Sequence, residues 1–318
     1  MPQVSSLTLL AIILCASLSN CAFGQSKQPK DFPFLAALTG AKPSKFITYT
    51  PSRLDPRNPA NNQSLKTSEL RQDLEALRPH FDGLVLYGYH EACTPRITAV
   101  AKSLGFRSIM LAIWDPKSTT ELDGVAALAK FHEQDFALAV IVGNEGITFK
   151  RYEAEDLQIA AARLRSTLPT SIPLTTSEPL VGYDQDFIRN FGDFAAPNIH
   201  PVFDNEKASP VDAAKWAREK AIELAERCKK PVLLKETGFP HAGKPAYTPA
   251  TQQAFWQAYR KSGDLQKSKA ENSWAFHGIA FEAFDLPWKS EASGLEIEKS
   301  WGFFSNDRKP HPALEIWK

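Results

Sequence analysis

The chain has 318 residues, of which 43% are apolar and 23% are charged, and its formal net charge is +1. This composition is typical of a globular protein with a large core. No block of five or six like charges occurs, so the sequence predicts no nucleic-acid binding and no electrostatic attachment to an anionic membrane.

The N-terminal residues 1–24 differ in composition from the rest of the chain. A short apolar segment is followed by Ala22 and Gly24, which are small residues of the kind that precede a signal-peptidase cut. The segment is too short for a comfortable membrane span. We therefore expect a cleavable signal peptide, a secreted or periplasmic protein and no integral span in the mature chain. Lipoprotein anchoring through Cys21 is the alternative, although Asn20 is bulky for the position before such a cysteine.

Beyond the predicted signal, Cys93 and Cys228 are the two remaining cysteines. They form one disulfide in an oxidising compartment or stay as two free thiols, and sequence distance alone does not decide between these alternatives. No CxxC, HExxH or HxH spacing is present. The sequence therefore predicts neither a metal site nor a soluble cofactor.

In chain order, residues 25–45 are predicted to be a linker or N-terminal extension, and residues 46–318 a single catalytic domain. In that domain, short β-rich runs alternate with stretches that have apolar residues at helical spacing. The predicted strands are residues 45–51, 83–89, 108–114, 136–142, 172–178, 198–203, 231–236 and 278–284. The predicted helices are residues 66–80, 94–105, 118–134, 153–168, 209–228 and 248–263.

Near-continuous apolar strands that alternate with helices predict an α/β fold with a parallel sheet covered by helices. Eight strands favour a single closed (β/α)8 TIM barrel. An open doubly wound sheet is the alternative. Because no GxGxxG or GxxxxGKS follows any strand, the phosphate-binding loops common in open sheets are missing.

Carboxylates follow several of the predicted strands, at the end of the barrel where active sites lie. They are Glu145, Glu178, Glu236, Glu282 and Asp285. Two carboxylates across a sugar-sized gap can cleave a glycosidic bond, one as an acid and the other as a nucleophile or base. The alternative for each is that it merely solvates a strand end. By strand alternation, Lys235 is expected to point away from its neighbour in the chain, so no salt bridge is predicted there.

Aromatic residues at or just beyond strand ends offer ring faces that can stack on pyranose rings. They are Tyr49, Tyr87, Trp114, Phe203, Phe284 and Trp288. At the end of the sixth predicted strand, His200 is expected to be a neutral hydrogen-bond partner for a carboxylate or a sugar hydroxyl. A satisfied core histidine is the alternative at this position.

Four sequence motifs occur in order: "VGNEGIT", "NIHPVFDN", "KETGFP", and "FEAFDLPWK" followed by "KSWGFF". Together they closely resemble glycoside hydrolase family 17, the β-1,3-glucanase and glucanosyltransferase family, in its fungal and bacterial branches. We assign the chain to the bacterial branch. The resemblance runs from about residue 46 to the C-terminus.

This resemblance implies a retaining (β/α)8 enzyme that acts on β-linked glucans. Glu145 would be the general acid/base, Glu236 the nucleophile, and Asn144 the hydrogen-bond partner of the sugar 2-hydroxyl. With the strand-end residues above, the predicted substrate-binding set is Asn144, Tyr49, Tyr87, His200, Phe203, Glu282, Trp288 and Lys289.

The chain departs from the family pattern at two positions. Val85 stands where family members commonly carry an arginine in the second strand, and Leu286 stands where fungal relatives carry a glutamate. These departures bear on substrate length, on the tuning of pKa values and on the balance of hydrolysis and transfer. Both predicted catalytic carboxylates are present.

The sequence thus predicts a retaining β-glucan hydrolase that cleaves β-1,3 linkages by double displacement. A transglycosylase on the same residues is one alternative, and a non-catalytic glucan-binding barrel is an alternative of another class. We expect no cofactor, a monomer, and β-glucan polysaccharide or oligosaccharide as the partner.

Overall fold

A computed structural model of the protein describes residues 28–58 and 60–318. The predicted signal peptide, residues 1–24, and Cys21 of the lipoprotein alternative lie outside these residues, so secretion stays a prediction. Within the described ranges, no helix is both long and apolar enough to cross a bilayer.

Nine strands and eleven α-helices form over residues 28–58 and 60–318. The strands are β1 (Phe46–Thr48), β2 (Gly83–Val85), β3 (Ser108–Ile113), β4 (Ala137–Asn144), β5 (Leu174–Ser177), β6 (Val232–Leu233), β7 (Leu265–Lys267), β8 (Trp274–Phe276) and β9 (Ile279–Ala280). The α-helices are α1 (Pro33–Leu38), α2 (Asn61–Ser64), α3 (Thr67–Leu77), α4 (Thr94–Ser103), α5 (Thr119–Phe131), α6 (Ala154–Thr167), α7 (Asp186–Asn190), α8 (Pro201–Asp204), α9 (Pro210–Cys228), α10 (Pro249–Arg260) and α11 (Pro287–Ser293). Short 3-10 helices lie at Pro29–Asp31, Leu180–Asp184, Glu296–Lys299 and Pro312–Trp317.

Six parallel strands form a curved sheet in the order β5-β4-β3-β2-β1-β9, so the last strand of the chain pairs with the first. A second sheet has the order β6-β8-β7. Since only two residues separate β8 from β9, one continuous stretch of chain joins the two sheets. Isolated bridges from Asn198 to Pro179 and to Glu236 connect the remaining edges. The predicted (β/α)8 barrel is confirmed.

The sixth stave of the barrel is less regular than predicted. Residues 198–203 make bridges through Asn198 and then enter α8 at Pro201. Proline has no N–H for a strand ladder, and its fixed φ suits the first turn of a helix. The antiparallel strand β7, which pairs with β8, has no counterpart among the predicted strands.

All six predicted helices are present, as α3, α4, α5, α6, α9 and α10. Side-chain caps account for three of their starts. The side-chain oxygens of Ser118, Ser209 and Thr248 each accept a hydrogen bond from a backbone N–H in the first turn. Such caps satisfy donors that have no partner inside the helix.

The barrel interior is an apolar cluster separate from the layer between strands and helices. Its members from the barrel staves include Phe46, Val85, Met110, Ile141, Leu233 and Phe276. Helix α1 adds buried side chains to this same cluster, among them Phe34, whose ring centroid lies 5.8 Å from that of Phe46. Residues 32–38 of the predicted linker are therefore packed against the barrel, because four of their large apolar side chains are buried there: Phe32, Phe34, Leu35 and Leu38.

Both remaining cysteines are free thiols in the structure. Cys93 is buried, and this burial raises its pKa to about 11. A thiol with so high a pKa is a poor nucleophile. Of the two alternatives left open by the sequence, the structure has two free thiols.

Candidate active site

The end of β4 turns sharply at the first predicted carboxylate. Gly143 has φ 75° and Glu145 has φ 59°, both in the left-handed region, and the register with β5 shifts between Ile141 and Asn144. A Cβ at position 143 would lie 2.0 Å from the Tyr152 hydroxyl, so only glycine fits. Bulges and left-handed residues redirect side chains next to active sites. Here they set the direction of the Glu145 side chain.

The loop after Glu145 is held by a second buried carboxylate. The backbone N–H groups of Ile147 and Thr148 donate to the Glu178 side chain at 3.0 and 3.1 Å. Burial raises the pKa of Glu178, and these hydrogen bonds oppose the rise. Since its oxygens are engaged by the loop, Glu178 positions the segment that carries Glu145.

Asn198 links two of the predicted site residues and was not singled out from the sequence. Its Nδ2 donates to Glu145 Oε1 at 2.8 Å and to Asn144 Oδ1 at 3.2 Å. The Ser177 hydroxyl donates to Asn198 Oδ1 at 3.1 Å, which fixes the orientation of the amide. In the sequence, Asn198 is the polar first residue of the predicted sixth strand. Polar residues often occupy strand ends, so this position alone does not indicate a site residue.

Lys235 pairs with Glu236, and the prediction that these neighbours point apart was wrong. The Lys235 ammonium donates to the Glu236 carboxylate and to Asn144 Oδ1, the latter at 2.8 Å. Regular alternation does not apply because β6 ends at Leu233, before both residues. The ion pair is buried, with 2% of the lysine side chain and 7% of the glutamate side chain exposed.

The two predicted catalytic carboxylates are thus joined by a continuous chain of side-chain hydrogen bonds. It runs from Glu145 through Asn198, Asn144 and Lys235 to Glu236. The Oδ1 atom of Asn144 accepts from both sides of this chain. Its Nδ2 takes no part in this chain of hydrogen bonds.

The environment separates the pKa values of the two carboxyl groups. Burial raises the pKa of Glu145, and the charge of Glu236 raises it further. Burial alone would also raise the pKa of Glu236, but the Lys235 ammonium and the hydrogen bond from His200 outweigh it and hold that pKa well below its usual range. The two pKa shifts are in opposite directions, as an acid and a nucleophile require.

His200 lies beside Glu236, with its Nε2 3.4 Å from Glu236 Oε2. Its ring packs edge-on against Phe281 and Trp301, each at a centroid distance of 5.1 Å. Burial would lower the pKa of His200, but Glu236 outweighs that effect and raises it. The buried Nδ1 of His200 has no hydrogen-bond partner among the described residues. Phe203, 43% exposed, lies next to this ring.

Another buried carboxylate lies on the extension of the eighth strand. Lys289 Nζ donates to Glu282 Oε2 at 2.6 Å. Burial nevertheless raises the pKa of Glu282 to about 7, and its Oε1 has no partner within the described ranges. Tyr87 shares this environment, because burial and then the charges of Glu236 and Glu282 raise its pKa.

The sequence-family model of the BtgE/BtgC glycoside hydrolase domain matches residues 47–302, which is more than half of the chain. The chain belongs to the BtgE/BtgC glycoside hydrolase family. The match includes every residue of the hydrogen-bonded chain between Glu145 and Glu236. The expectation of an O-glycosyl hydrolase is confirmed at the level of the family.

The curated relatives of this BtgE/BtgC-family chain are fungal. "Probable beta-glucosidase btgE" of Aspergillus fumigatus (strain CBS 144.89) is 30% identical over 191 residues, which cover 57% of this chain and 32% of the relative. "Glucan 1,3-beta-glucosidase" of Arthroderma benhamiae is 25% identical over 272 residues, 79% of this chain and 85% of the relative. The chain spans 32% of the first of these relatives, about a third. The predicted bacterial branch is not confirmed by these relatives.

Solved structures share the fold of the BtgE/BtgC-family chain. The glycoside hydrolase family 17 β-1,3-glucanosyltransferase of Rhizomucor miehei superposes with a TM-score of 0.65 at 18% identity, over 86% of this chain and 97% of the other. CJP38, a β-1,3-glucanase and allergen of Cryptomeria japonica pollen, gives 0.58 at 12% identity, over 85% and 98%. At these identities the likeness shows the fold, and the predicted resemblance to family 17 is confirmed at that level.

Among the aromatic side chains predicted to stack on sugar, Tyr49 lies in the core of this BtgE/BtgC-family barrel. Its hydroxyl donates to Asp73 Oδ2 at 3.1 Å and its ring packs against Phe284, so neither ring offers a face to a ligand. Strand β1 ends at Thr48, and Tyr49 turns towards α3, which carries Asp73. Trp288 is half-buried with its Nε1 unpartnered among the described residues. Trp114 is 44% exposed.

Val85, at the position of the usual arginine, belongs to the apolar barrel interior, and Leu286 is buried at the start of α11. Neither side chain adds charge to the active site. The positive charge paired with Glu236 in this BtgE/BtgC-family chain is that of Lys235.

Replacing Lys235 with methionine is expected to raise the pKa of Glu236, because burial then acts on this carboxyl group without its main opposing charge. The acid limb of kcat/KM against pH should move to higher pH. Lys215→Met, on the exposed face of α9, is the matched control and should leave the limb in place. An unchanged acid limb in a folded Lys235→Met variant would contradict this role.

Proposed function

We propose that the chain is a retaining β-glucan hydrolase that cleaves β-1,3 linkages by double displacement. The proposal rests chiefly on one observation: two carboxyl groups with oppositely shifted pKa values are joined by a single hydrogen-bonded chain at one end of the barrel. A retaining glycosidase needs this division between an acid and a nucleophile.

In the first step of the proposed reaction, a carboxylate oxygen of Glu236 attacks the anomeric carbon. The bond from this carbon to the glycosidic oxygen breaks, and the proton of Glu145 passes to the departing oxygen. The ammonium of Lys235 keeps Glu236 ionised before the attack. Asn144 Nδ2 then donates to the 2-hydroxyl, a contact that strengthens in the transition state.

In the second step, Glu145 is a carboxylate and removes a proton from an incoming water molecule. The water oxygen attacks the anomeric carbon and releases Glu236, so the product keeps the β configuration. Asn198 supports this half of the cycle because its hydrogen bond to Oε1 favours the ionised form of Glu145. The same amide therefore limits how far the pKa of Glu145 rises.

The substrate class is proposed from the relatives together with the site. The Arthroderma benhamiae relative is named a glucan 1,3-β-glucosidase, and an active-site mutant of the Rhizomucor miehei enzyme was solved with laminaritriose. In this chain, the exposed ring of Phe203 lies beside His200, which contacts Glu236, and is proposed to stack on a pyranose ring. Secretion to the periplasm or medium and action as a monomer belong to the same proposal.

A transglycosylase on the same residues is the second candidate. It is supported by the likeness to the Rhizomucor miehei β-1,3-glucanosyltransferase, 97% of whose length is covered. The two candidates share the first step and differ only in whether water or a sugar hydroxyl accepts the glycosyl group. Acceptor contacts beyond the cleavage point therefore decide between them.

Time-resolved product analysis on laminari-oligosaccharides tests the proposal. Glucose and shortened oligomers indicate hydrolysis, and products longer than the substrate indicate transfer. NMR of the first hydrolysis product should show the β anomer. An α anomer would contradict the retaining mechanism, and binding without turnover on β-1,3, β-1,4 and mixed-linkage glucans would favour the non-catalytic alternative.

The rate should depend on pH through both carboxyl groups. Activity falls as pH drops through the lowered pKa of Glu236, which must be ionised, and falls as pH rises through the raised pKa of Glu145, which must be protonated. Asn198→Ala removes a hydrogen bond that stabilises ionised Glu145, so the alkaline limb should move to higher pH while kcat falls. An alkaline limb that stays in place or moves down would contradict this.

A further inference from the structure

Three side chains outside the hydrogen-bonded catalytic chain converge on one point. The Nε2 atom of His241 lies 3.0 Å from Asp285 Oδ1, and the Nε2 atom of His311 lies 2.8 Å from Asp285 Oδ2. The centroids of the two imidazole rings lie 4.1 Å apart, and the ring planes are tilted by 36°. One donor atom from each of the three residues can be chosen so that all lie within 4.8 Å of one another.

The backbone places these three residues in advance, because each is bonded to the same short segment, residues 300–304. The N–H of His241 donates to the Ser300 carbonyl, that of Asp285 to the Phe304 carbonyl, and that of His311 to the Phe303 carbonyl, all at 2.8–2.9 Å. The arrangement is therefore built by the fold and does not depend on freely moving loops.

An outer hydrogen bond orients the carboxylate as well, since the Gly302 N–H donates to Asp285 Oδ1 at 3.0 Å. Ligating carboxylates in metal sites are commonly held in this way. A side-chain oxygen that is already fixed loses little freedom when an ion binds.

We propose that His241, Asp285 and His311 form a binding site for one divalent transition-metal ion of the zinc class. Two imidazoles and one carboxylate are a donor set that zinc favours, and three protein ligands leave a fourth position for water. With bonds of about 2.0–2.1 Å to zinc, neighbouring donor atoms of a tetrahedral site lie about 3.3 Å apart. Asp285 Oδ2 lies 3.2 Å from His241 Nε2 and 2.8 Å from His311 Nε2, and one donor atom of each residue lies within 4.8 Å of the other two, so small movements bring the three atoms to this spacing.

Charge also favours an ion at this point. Of the four carboxylates that are buried among the described residues, Asp73, Glu236 and Glu282 are each paired with an arginine or lysine, and Glu178 accepts two backbone N–H hydrogen bonds. Asp285 has ion-pair contacts only with the two imidazoles, which carry a charge only when protonated. A bound dication would supply the permanent positive charge, and side-chain exposures of 12–20% leave it a route from solvent.

The ion would join three parts of the chain at the wall of the candidate active site. It would tie the loop after β6 to the extension of the eighth strand and to the C-terminal segment. Trp301, which belongs to the segment 300–304, packs against the ring of His200, and His200 lies beside Glu236. Its position in this wall assigns the ion a structural role, and the inference does not depend on the proposed function.

Metal binding to the full-length protein tests the inference without any measurement of activity. The protein is treated with chelator, dialysed, and titrated with Zn²⁺ or Co²⁺, with Mg²⁺ as the comparison ion. We expect one Zn²⁺ per chain, no binding of Mg²⁺, a visible Co²⁺ spectrum of tetrahedral type that Zn²⁺ abolishes, and a higher Tm with Zn²⁺. Substoichiometric Zn²⁺ binding or an octahedral Co²⁺ spectrum would overturn the proposal.

Two variants locate the ion on the chain. His241→Gln and His311→Gln should each weaken Zn²⁺ binding by about 100-fold or more, since even loss of an outer partner of a ligand costs about 10–100-fold. His90→Gln removes an imidazole elsewhere, where its Nδ1 accepts from the Ala92 N–H, and should leave binding unchanged. Unaltered stoichiometric binding by both cluster variants would overturn the assignment. If a variant does not fold, the Co²⁺ spectrum of the unaltered protein decides the question.

Discussion

Glu236→Ala is expected to lower kcat on laminarin-type β-1,3-glucan by at least about 10⁴-fold, because loss of a nucleophile removes the covalent step as a whole. The shortened side chain leaves space beside the anomeric carbon. Added azide should occupy that space, attack the same face and restore part of the turnover on an activated aryl β-glucoside. The product should be the α-glucosyl azide, with inverted configuration, which NMR can identify.

The azide product separates lost chemistry from lost structure. Glu236→Ala leaves the buried ammonium of Lys235 without its carboxylate, so the variant is also expected to be less stable. A misfolded protein would not make a stereochemically defined azide. Glu219→Ala, on an exposed position of α9, is the control and should keep full turnover. Near-normal hydrolysis of laminarin by the Glu236→Ala variant would rule out the nucleophile assignment.

Glu145→Gln should slow the cleavage of natural β-glucan by about 10²–10⁴-fold, the usual contribution of a general acid. Glutamine keeps an oxygen that can accept from Asn198 Nδ2, so the shape of the hydrogen-bonded chain is preserved. Aryl glucosides with good leaving groups need no proton for departure. Their pre-steady-state rate of glycosyl-enzyme formation should therefore change far less than the rate on laminarin.

The comparison of leaving groups decides the role of Glu145. A plot of the glycosylation rate against leaving-group pKa should be steeper for the variant than for the unaltered enzyme. Equal losses on activated and natural substrates would show that Glu145 does not act as the acid. Glu155→Gln, in the first turn of α6, is a control that changes a carboxyl group outside the hydrogen-bonded chain.

Most of the fold prediction rested on helical periodicity, because the apolar residues on the buried face of an amphipathic helix recur at regular spacing over many residues. Helices α3 to α6, α9 and α10 all formed where the apolar spacing indicated. Strand extent was harder to predict. The sixth stave contributes only bridges, since Pro201 starts a helix there, and β6 has just two residues.

The site was partly visible in the sequence. Glu145 and Glu236 were predicted as site residues because they end apolar runs, and the structure links the two side chains through one chain of hydrogen bonds. Lys235 was excluded by strand alternation, which holds only while a strand continues. Asn198 was missed because its importance lies in contacts with residues 53 and 54 positions away.

The histidine and aspartate cluster was beyond any motif search. Its members are separated by 44 and 26 residues along the chain, and short spacings such as HExxH describe ligands on one element. Only the shared backbone partners in residues 300–304 bring the three together. Tyr49 was predicted to bind sugar because it lies at a strand end, and this prediction was wrong. Its hydroxyl donates to the buried Asp73 instead.

Helix α1 has a practical bearing on how this enzyme can be shortened. Its apolar side chains pack against the apolar cluster of the barrel interior, where Phe34 contacts both Phe46 and Phe194. A polypeptide that began at the first strand would expose the apolar side chains that α1 covers to water, and it would be prone to aggregation. Recombinant versions intended for crystallisation or immobilisation should therefore retain Phe32 and helix α1, even though none of the proposed chemistry takes place there.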